Sequence, residues 1–439
     1  MALTKVLNLG LGTTDAQGNT LNGTNAGDSF DGTNAENNTL IGNNAGTAIT
    51  TGDSNVAVGG DCLDVTTTGS NNTSVGKSAL GLNTTGSQNT ACGKSAVGSN
   101  TTADNNTGIG YLALNQNTTG TRNVAVGSST LDANTTGDDI TAIGHGALGA
   151  NTTGNQNTAV GKGALNSNST VDNNTALGYQ ALNQNTTGAL NTAVGSLALD
   201  ANNIGDNNTA VGYDSLGANT TGSGNTAFGR ASLDANTTAH NNTGLGYFSL
   251  TANTTGTGNT AVGANSMAET TTGNYNTAVG LNALDANTTA SENTAVGYNA
   301  LSATTTGNKC TAVGTNALKV NTGSENDAFG NDALAANTSG VQNVAVGRKC
   351  LDANTEGSNN TSVGHSSLSS NTTANDNSAL GYNALFTNTT GANNTAVGRS
   401  ALFANTTGDY NVAVGSLALD ANTTADQNTA LGYIALTAN

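Results

Sequence analysis

Glycine returns every seventeen residues along most of the chain. The series runs from Gly42 through Gly59, Gly76 and Gly93 to Gly314, takes one sixteen-residue step to Gly330, and continues in seventeens to Gly432, 24 glycines without a gap. A fixed period of this size marks a solenoid, in which each unit is one rung that buries its apolar side chains only against its neighbours. Composition leaves little else open. Of 439 residues only 3% are aromatic and 9% charged, Gly numbers 59, and Trp and Pro are absent, so the side chains that fill a thick core are missing. Low charge and the lack of proline also set the chain apart from a disordered polar tract. Order has to come from backbone hydrogen bonding and repetition.

Counted from its glycine, each rung repeats the same columns. The preceding residue is aliphatic or nearly so, as at Val58, Val75, Ile109, Leu177, Phe228 and Val397, with Cys92 the smallest departure. The residue four after is Leu in 21 of the 24 units, with Val97, Met267 and Gly46 the exceptions. These two apolar positions are expected to form the core. Asn stands four before the glycine in 22 units, Ile140 and Cys310 excepted, and seven after it in 20. Ala, Ser or Gly fills most sites two before and three after. The joining segment reads "ANTTG", as in Ala133 to Gly137, and its Asn and Gly suit a tight turn with positive φ.

The triplet before the glycine alternates, so Val58 or Val126 is expected to point one way while Ala and Gly make a flat opposite face. A helix of this Gly, Asn and Thr content would be poor. Strands stacked about 4.8 Å apart suit ladders of Asn amides, and twenty-four of them make a rod on the order of 115 Å long. The expected fold is all-β, a β-solenoid or β-roll of about 24 stacked 17-residue coils over residues 38–439. Residues 1–37 break the beat, with "NGTNAGDSF" and "DGTNAENN" as half-echoes, and read as an N-terminal attachment segment. The Ala/Gly face is unsuited to water, and three such faces around one axis would cover it, which predicts a parallel homotrimer.

The unit NTAVGxxAL resembles the β-roll repeat in the heads of trimeric autotransporter adhesins. It is still more similar to the NTAVGYNAL-type repeats of phage tail fibres and of fibre-like proteins with a self-cleaving chaperone domain, and "MALTKV" resembles the start of many tail-fibre chains. The repeat resemblance covers residues 38–439. It implies a trimeric fibre on a virion surface, held to a tail or capsid protein through its N-terminal segment and displayed towards host-surface glycans. The adhesin neck and membrane anchor and the chaperone's Ser and Lys dyad are not matched. The chain stops in mid-repeat at "LGYIALTAN", so a natural product that continues past Asn439, or was cut there, is expected.

Other functions find less support. Net charge is −17 and the eleven Lys and Arg are scattered rather than clustered, which leaves no basic stripe to neutralise phosphates, so nucleic-acid binding is not expected. No apolar run approaches the roughly twenty residues of a membrane span, and the opening is too weakly apolar for a secretory signal. Cys62, Cys92, Cys310 and Cys350 occupy four different rungs and read as small fillers. His145, His240 and His365 meet no ligand cluster, so no metal, cofactor or catalytic residue is expected, and the chain does not read as an enzyme. An Asp five after the glycine, as at Asp64, Asp132 and Asp200, reads as a solvated edge.

Tyrosine is the residue whose placement suggests contact. Tyr111, Tyr179, Tyr213, Tyr247, Tyr298, Tyr382 and Tyr433 all directly follow a column glycine, either to pack over the neighbouring turn or to touch a glycan or another fibre. Two other functions share the repeat: a secreted adhesin or self-assembling extracellular filament, and an ice-binding solenoid. The adjacent turn threonines, such as Thr135 and Thr136, do not form a paired TxT row for ice.

Overall fold

In most rungs a β-branched residue, a small residue and an aliphatic before the column glycine form one three-residue strand. In the computed structural model, which describes residues 13–30 and 32–437, there is no helix among the described residues. The "MALTKV" opening lies outside them. The chain divides after Thr221 into two units. In the first, β1 (Thr13–Thr14) pairs antiparallel with β2 (Thr20–Asn22), and β2 begins a parallel series through β3 (Thr39–Ile41) to β13 (Thr209–Val211). In the second, a parallel series runs from β14 (Thr226–Phe228) to β26 (Thr429–Leu431). Register is in phase with the repeat: Thr158 faces Thr175, Ala159 faces Ala176 and Val160 faces Leu177. The protein is a parallel β-solenoid of about 24 rungs with a repeat of about 17 residues.

Hydrogen bonding continues across the boundary at residue 37, where the sequence beat breaks. Thr20 pairs with Thr39, and the Asn38 amide N–H donates to Asn19 Oδ1 at 2.8 Å. Gly23, at φ +147°, plays the part of a column glycine nineteen residues before Gly42.

Three tight bends close each rung, and they are not where the sequence suggests. In the rung of Gly178 (φ 146°), the left-handed residues are Gln180 (φ 52°), Leu182 (φ 52°) and Leu190 (φ 60°). The "ANTTG" segment carries none: neither Asn134 nor Gly137 has positive φ. The column leucine is thus both a core residue and a strained one, since the left-handed region costs an L residue about 1–2 kcal/mol. A side chain branched at Cγ crowds this backbone less than one branched at Cβ, which accounts for Leu over Ile or Val. Val97 (φ 50°) is the one β-branched resident.

The core corrects the sequence reading. The aliphatic before the glycine faces outward, not into the coil. The small residue before it is the inward one: Ala57, Ala125 and Ala159 are fully buried, whereas Ile109 is 41% and Leu177 45% exposed. The reason is lack of room. At Gly108, which occupies this inward position, an added Cβ would lie 2.5 Å from Val97 Cγ2 and 3.1 Å from the Ala113 carbonyl oxygen. The strand therefore lies one small side chain away from the opposite wall, and the larger branch of the alternation must leave. The Ala surface expected to need covering is already inside, and the exposed apolar stripe is the aliphatic one.

Buried asparagines complete the interior. In the first ladder, Asn72 accepts at Oδ1 the Asn89 N–H (3.0 Å), and its Nδ2 donates to the Gly86 carbonyl (2.9 Å). In the second, Asn134 Nδ2 donates to Asn117 Oδ1 (2.8 Å) and to the Gly137 carbonyl three residues on (3.1 Å). Each amide ties its own turn to the rung beside it, which satisfies the polar groups that so thin a coil must bury.

The sixteen-residue step has a local cause and a local adjustment. The turn reads Asn321, Thr322, Gly323, one Thr short, so Asn321 Nδ2 reaches the Gly323 carbonyl two residues on (2.6 Å). Cys310 stands at the neighbouring ladder position. Its Sγ is 3.3 Å from the Gly323 carbonyl oxygen and 3.4 Å from Asn321 Nδ2. A ladder hydroxyl beside this step, Thr304 Oγ1, is buried without a partner.

Candidate surface-contact site

Outward from the strand, most rungs present a Thr or Val, the aliphatic, and then the residue after the column glycine. Stacking puts this last position of every rung within a unit into one line. The line is chemically unlike the rest of the surface. It holds seven of the nine tyrosines, six of the eleven Lys and Arg, two of the three histidines, and no Asp or Glu in any of its 24 positions. Cations that look scattered in the sequence are aligned: Lys77, Lys94 and Lys162 in the first unit, Arg230, Arg348 and Arg399 in the second. Writing the sequence in rows of seventeen would have shown this, so the signal was available without coordinates.

The tyrosine rings are half open to solvent, between 45% and 51% exposed for all but Tyr433 of the seven. For three of the seven, a Lys, Arg or His side chain of the rung before lies against the ring. Lys94 Nζ lies 5.8 Å from the Tyr111 ring centre, the Arg230 guanidinium 5.8 Å from that of Tyr247, and the His365 ring stacks on Tyr382 at 5.5 Å and 21°. Arg230 Nη1 is also 3.5 Å from the Tyr247 hydroxyl. The Lys94 and Arg230 contacts hold a cation over an aromatic face at about 0.5–1 kcal/mol each in exposed positions. The sequence reading of these tyrosines missed the pairing.

Acidic residues gather elsewhere, for a reason built into the coil. Six before the column glycine, an Asp, Asn or Ser side chain accepts a backbone N–H from the preceding rung, as Asp138 does from Thr121 (2.6 Å) and Asp172 from Asn155 (2.6 Å). One position on, Arg122 pairs with Asp139 through two bonds of 2.6 and 2.9 Å. The Asp positions five after the glycine line another edge. A shallow groove of about 240 Å³ opens there, with Asp61, Asp64, Gly81 and Gly98 in its lining. Among the described residues no group of His, Cys, Asp and Glu is arranged to hold a metal ion.

Partial burial holds the Asp64, Asp132, Asp200 and Asp285 carboxyls above the usual carboxylate range, with the nearby charges of Asp61, Asp214 and Glu269 adding to the effect at Asp64, Asp200 and Asp285 respectively. A folded-state pKa above the unfolded one means that ionisation penalises the folded chain. The penalty is present above the folded pKa and disappears as pH falls through it, so stability rises on acidification from neutral pH. Shedding part of a net charge of −17 acts the same way. The melting temperature is expected to climb as pH falls from 7 towards the ordinary carboxylate range at constant ionic strength in a thermal scan, and Asp132→Asn together with Asp200→Asn to flatten the climb.

Burial pushes the Cys62 thiol up to about 11 and those of Cys310 and Cys350 also upward, against thiolate formation. Cys92, in the outward aliphatic column, is exposed. Thr135 Oγ1 donates to the Thr152 carbonyl (2.9 Å), so one hydroxyl of each turn pair of this kind is engaged between rungs. No helix of the described residues is long and apolar enough to cross a membrane. Compared with known proteins, the chain matches no family model and no curated protein sequence.

Proposed function

We propose that the chain is the shaft of a structural fibre, a parallel homotrimer carried on a phage or similar particle. Its N-terminal segment attaches to a tail or capsid protein, and its length presents contacts to host-surface glycans. The observation that carries this reading is the outward aliphatic column. Ile109, Leu177, Phe228 and Leu380 stand 41–52% exposed in register with one another inside their units, an apolar stripe of the kind that marks an interface in a soluble protein. Copies packed through this face would cover the stripe while leaving the acidic edges in water, and closed symmetry would exhaust it. The resemblance of NTAVGxxAL to trimeric fibre repeats supports the same stoichiometry.

The test is the mass in solution and the position of Cys92. Sedimentation should give three times the 43.0 kDa of one chain. Mild oxidation should link two chains through Cys92, the exposed thiol of the single chain, because the stripe brings the Cys92 residues of neighbouring copies together. A monomer at micromolar concentration, or a trimer whose Cys92 cannot be linked, overturns the interface.

A further inference from the structure

We infer that, within each unit, the line of residues after the column glycines binds a linear, carboxylate-bearing polysaccharide lengthwise; this rests on the reading of the chain as a displayed fibre. In the first unit Lys77 and Lys94 occupy successive rungs and Tyr111 the next, then His145, Lys162 and Tyr179 repeat the order after Ser128. Two basic groups followed by an aromatic face is a pairing suited to acidic sugars. The ring packs on the C–H face of a pyranose, and the Lys and Arg side chains donate to its carboxylate. In the second unit Arg348, His365 and Tyr382 follow the same order, and His365 is stacked on Tyr382. The rings are pre-positioned by the rung beneath, as Lys94 over Tyr111 and Arg230 over Tyr247 show, so little side-chain freedom is lost on binding.

Charge density selects the class of polyanion. Five rungs separate Lys77 from Lys162, and at about 4.8 Å per rung they cover roughly 24 Å with three fixed cations. Duplex DNA presents a charge about every 1.7 Å and would meet too few cations there, against a background of −17. A polysaccharide with its acid groups interrupted by hydroxyls matches a line in which cations alternate with Tyr and Ser. The absence of Asp and Glu from all 24 positions keeps the line free of repulsion for such a chain.

The probe is polygalacturonate, tested with the full chain by affinity electrophoresis and calorimetry, beside a neutral β-glucan and duplex DNA. Binding to polygalacturonate should weaken with salt, and the neutral glucan and DNA should not bind comparably. Lys94→Gln with Lys162→Gln should weaken it about tenfold or more. Tyr111→Phe with Tyr179→Phe should retain binding because the ring faces remain, and Arg122→Gln, in a different column and paired with Asp139, should leave it unchanged. No binding at low salt, equal losses from Arg122→Gln and the lysine pair, or DNA bound as tightly as polyuronate overturns the proposal. Sedimentation of the same samples reports the oligomer separately, so a failed glycan site and a failed trimer are told apart.

Discussion

Asn151→Leu should remove about 3–5 kcal/mol from the rungs around it, although the side chains are close in size and the site is fully buried. Asn151 Nδ2 donates to Asn134 Oδ1 (2.9 Å) and to the Gly154 carbonyl (3.0 Å), and its Oδ1 accepts from Asn168 Nδ2 (3.3 Å). Leucine supplies none of these, and each buried group left without a partner costs about 1–3 kcal/mol. Threonine is the informative comparison, since it already occupies this column at Thr66, Thr270 and Thr304. Thr66 Oγ1 donates to the Asn83 carbonyl at 2.9 Å and is within 3.4 Å of Asn83 Nδ2, so a hydroxyl replaces part of the ladder. Asn151→Thr should therefore lose less than half as much. In a solenoid each rung touches only its neighbours, so the damage should stay local. Hydrogen exchange is expected to accelerate in residues 134–171 and to remain as in the parent chain near residue 60. A uniform loss of protection across the first unit, or none at all, would show that the ladder does not act rung by rung.

Much of the architecture is legible in the sequence because the period is a direct record of the stack. The seventeen-residue beat gives the rung, the Asn columns give the ladders, and both appear as expected at Asn72 and Asn134. What the sequence does not display is which side of a strand faces in. Alternation at Thr158, Ala159 and Val160 is symmetric until the width of the coil is known, and the usual preference for a larger aliphatic inside points the wrong way here. The deciding fact, that only a small side chain fits between the strand and the opposite wall at positions such as Gly108, is a distance across the core. Bend positions were hidden for a similar reason. Leu182 and Leu190 look like apolar packing residues, yet both hold left-handed backbone.

The surface line was a different kind of omission. Lys94 and Tyr111, or Arg230 and Tyr247, are seventeen residues apart and adjacent in space. A charge pattern read along the chain averages them with the Asp-rich edges, whereas the fold separates them. An acidic chain can in this way carry a basic and aromatic line, because a regular coil assigns each of its positions to one direction in space.

The column glycines and the turn glycines give a second result of comparable size, from the same substitution at two places. Gly161→Ala should cost about 3 kcal/mol, and Gly120→Ala less than about 1 kcal/mol. At Gly161, φ is 137° and an added Cβ would sit 2.2 Å from the Gly178 carbonyl oxygen and 2.6 Å from its carbon, so the methyl is opposed by both its own backbone and the next rung. Relief would have to come from parting the two rungs, which are joined beside the clash by the Gly178 N–H to the Val160 carbonyl (2.8 Å) and the Gly161 N–H to the Ile143 carbonyl (2.7 Å). At Gly120 an added Cβ would also be close to a carbonyl, 2.3 Å from that of Gly137, but φ is not positive and the contact is with a turn instead of a strand pair. The sequence shows that such a turn yields: Ala103, Ala239 and Ala290 stand in this column with Gly in the rung that follows, while the column of Gly161 is Gly in all 24 units. Thermal melting of the two variants, with hydrogen exchange over residues 143–178 and 103–137, separates backbone strain from simple crowding. Equal losses at both sites would mean that contact distance alone sets the requirement and that the positive φ of the column contributes nothing.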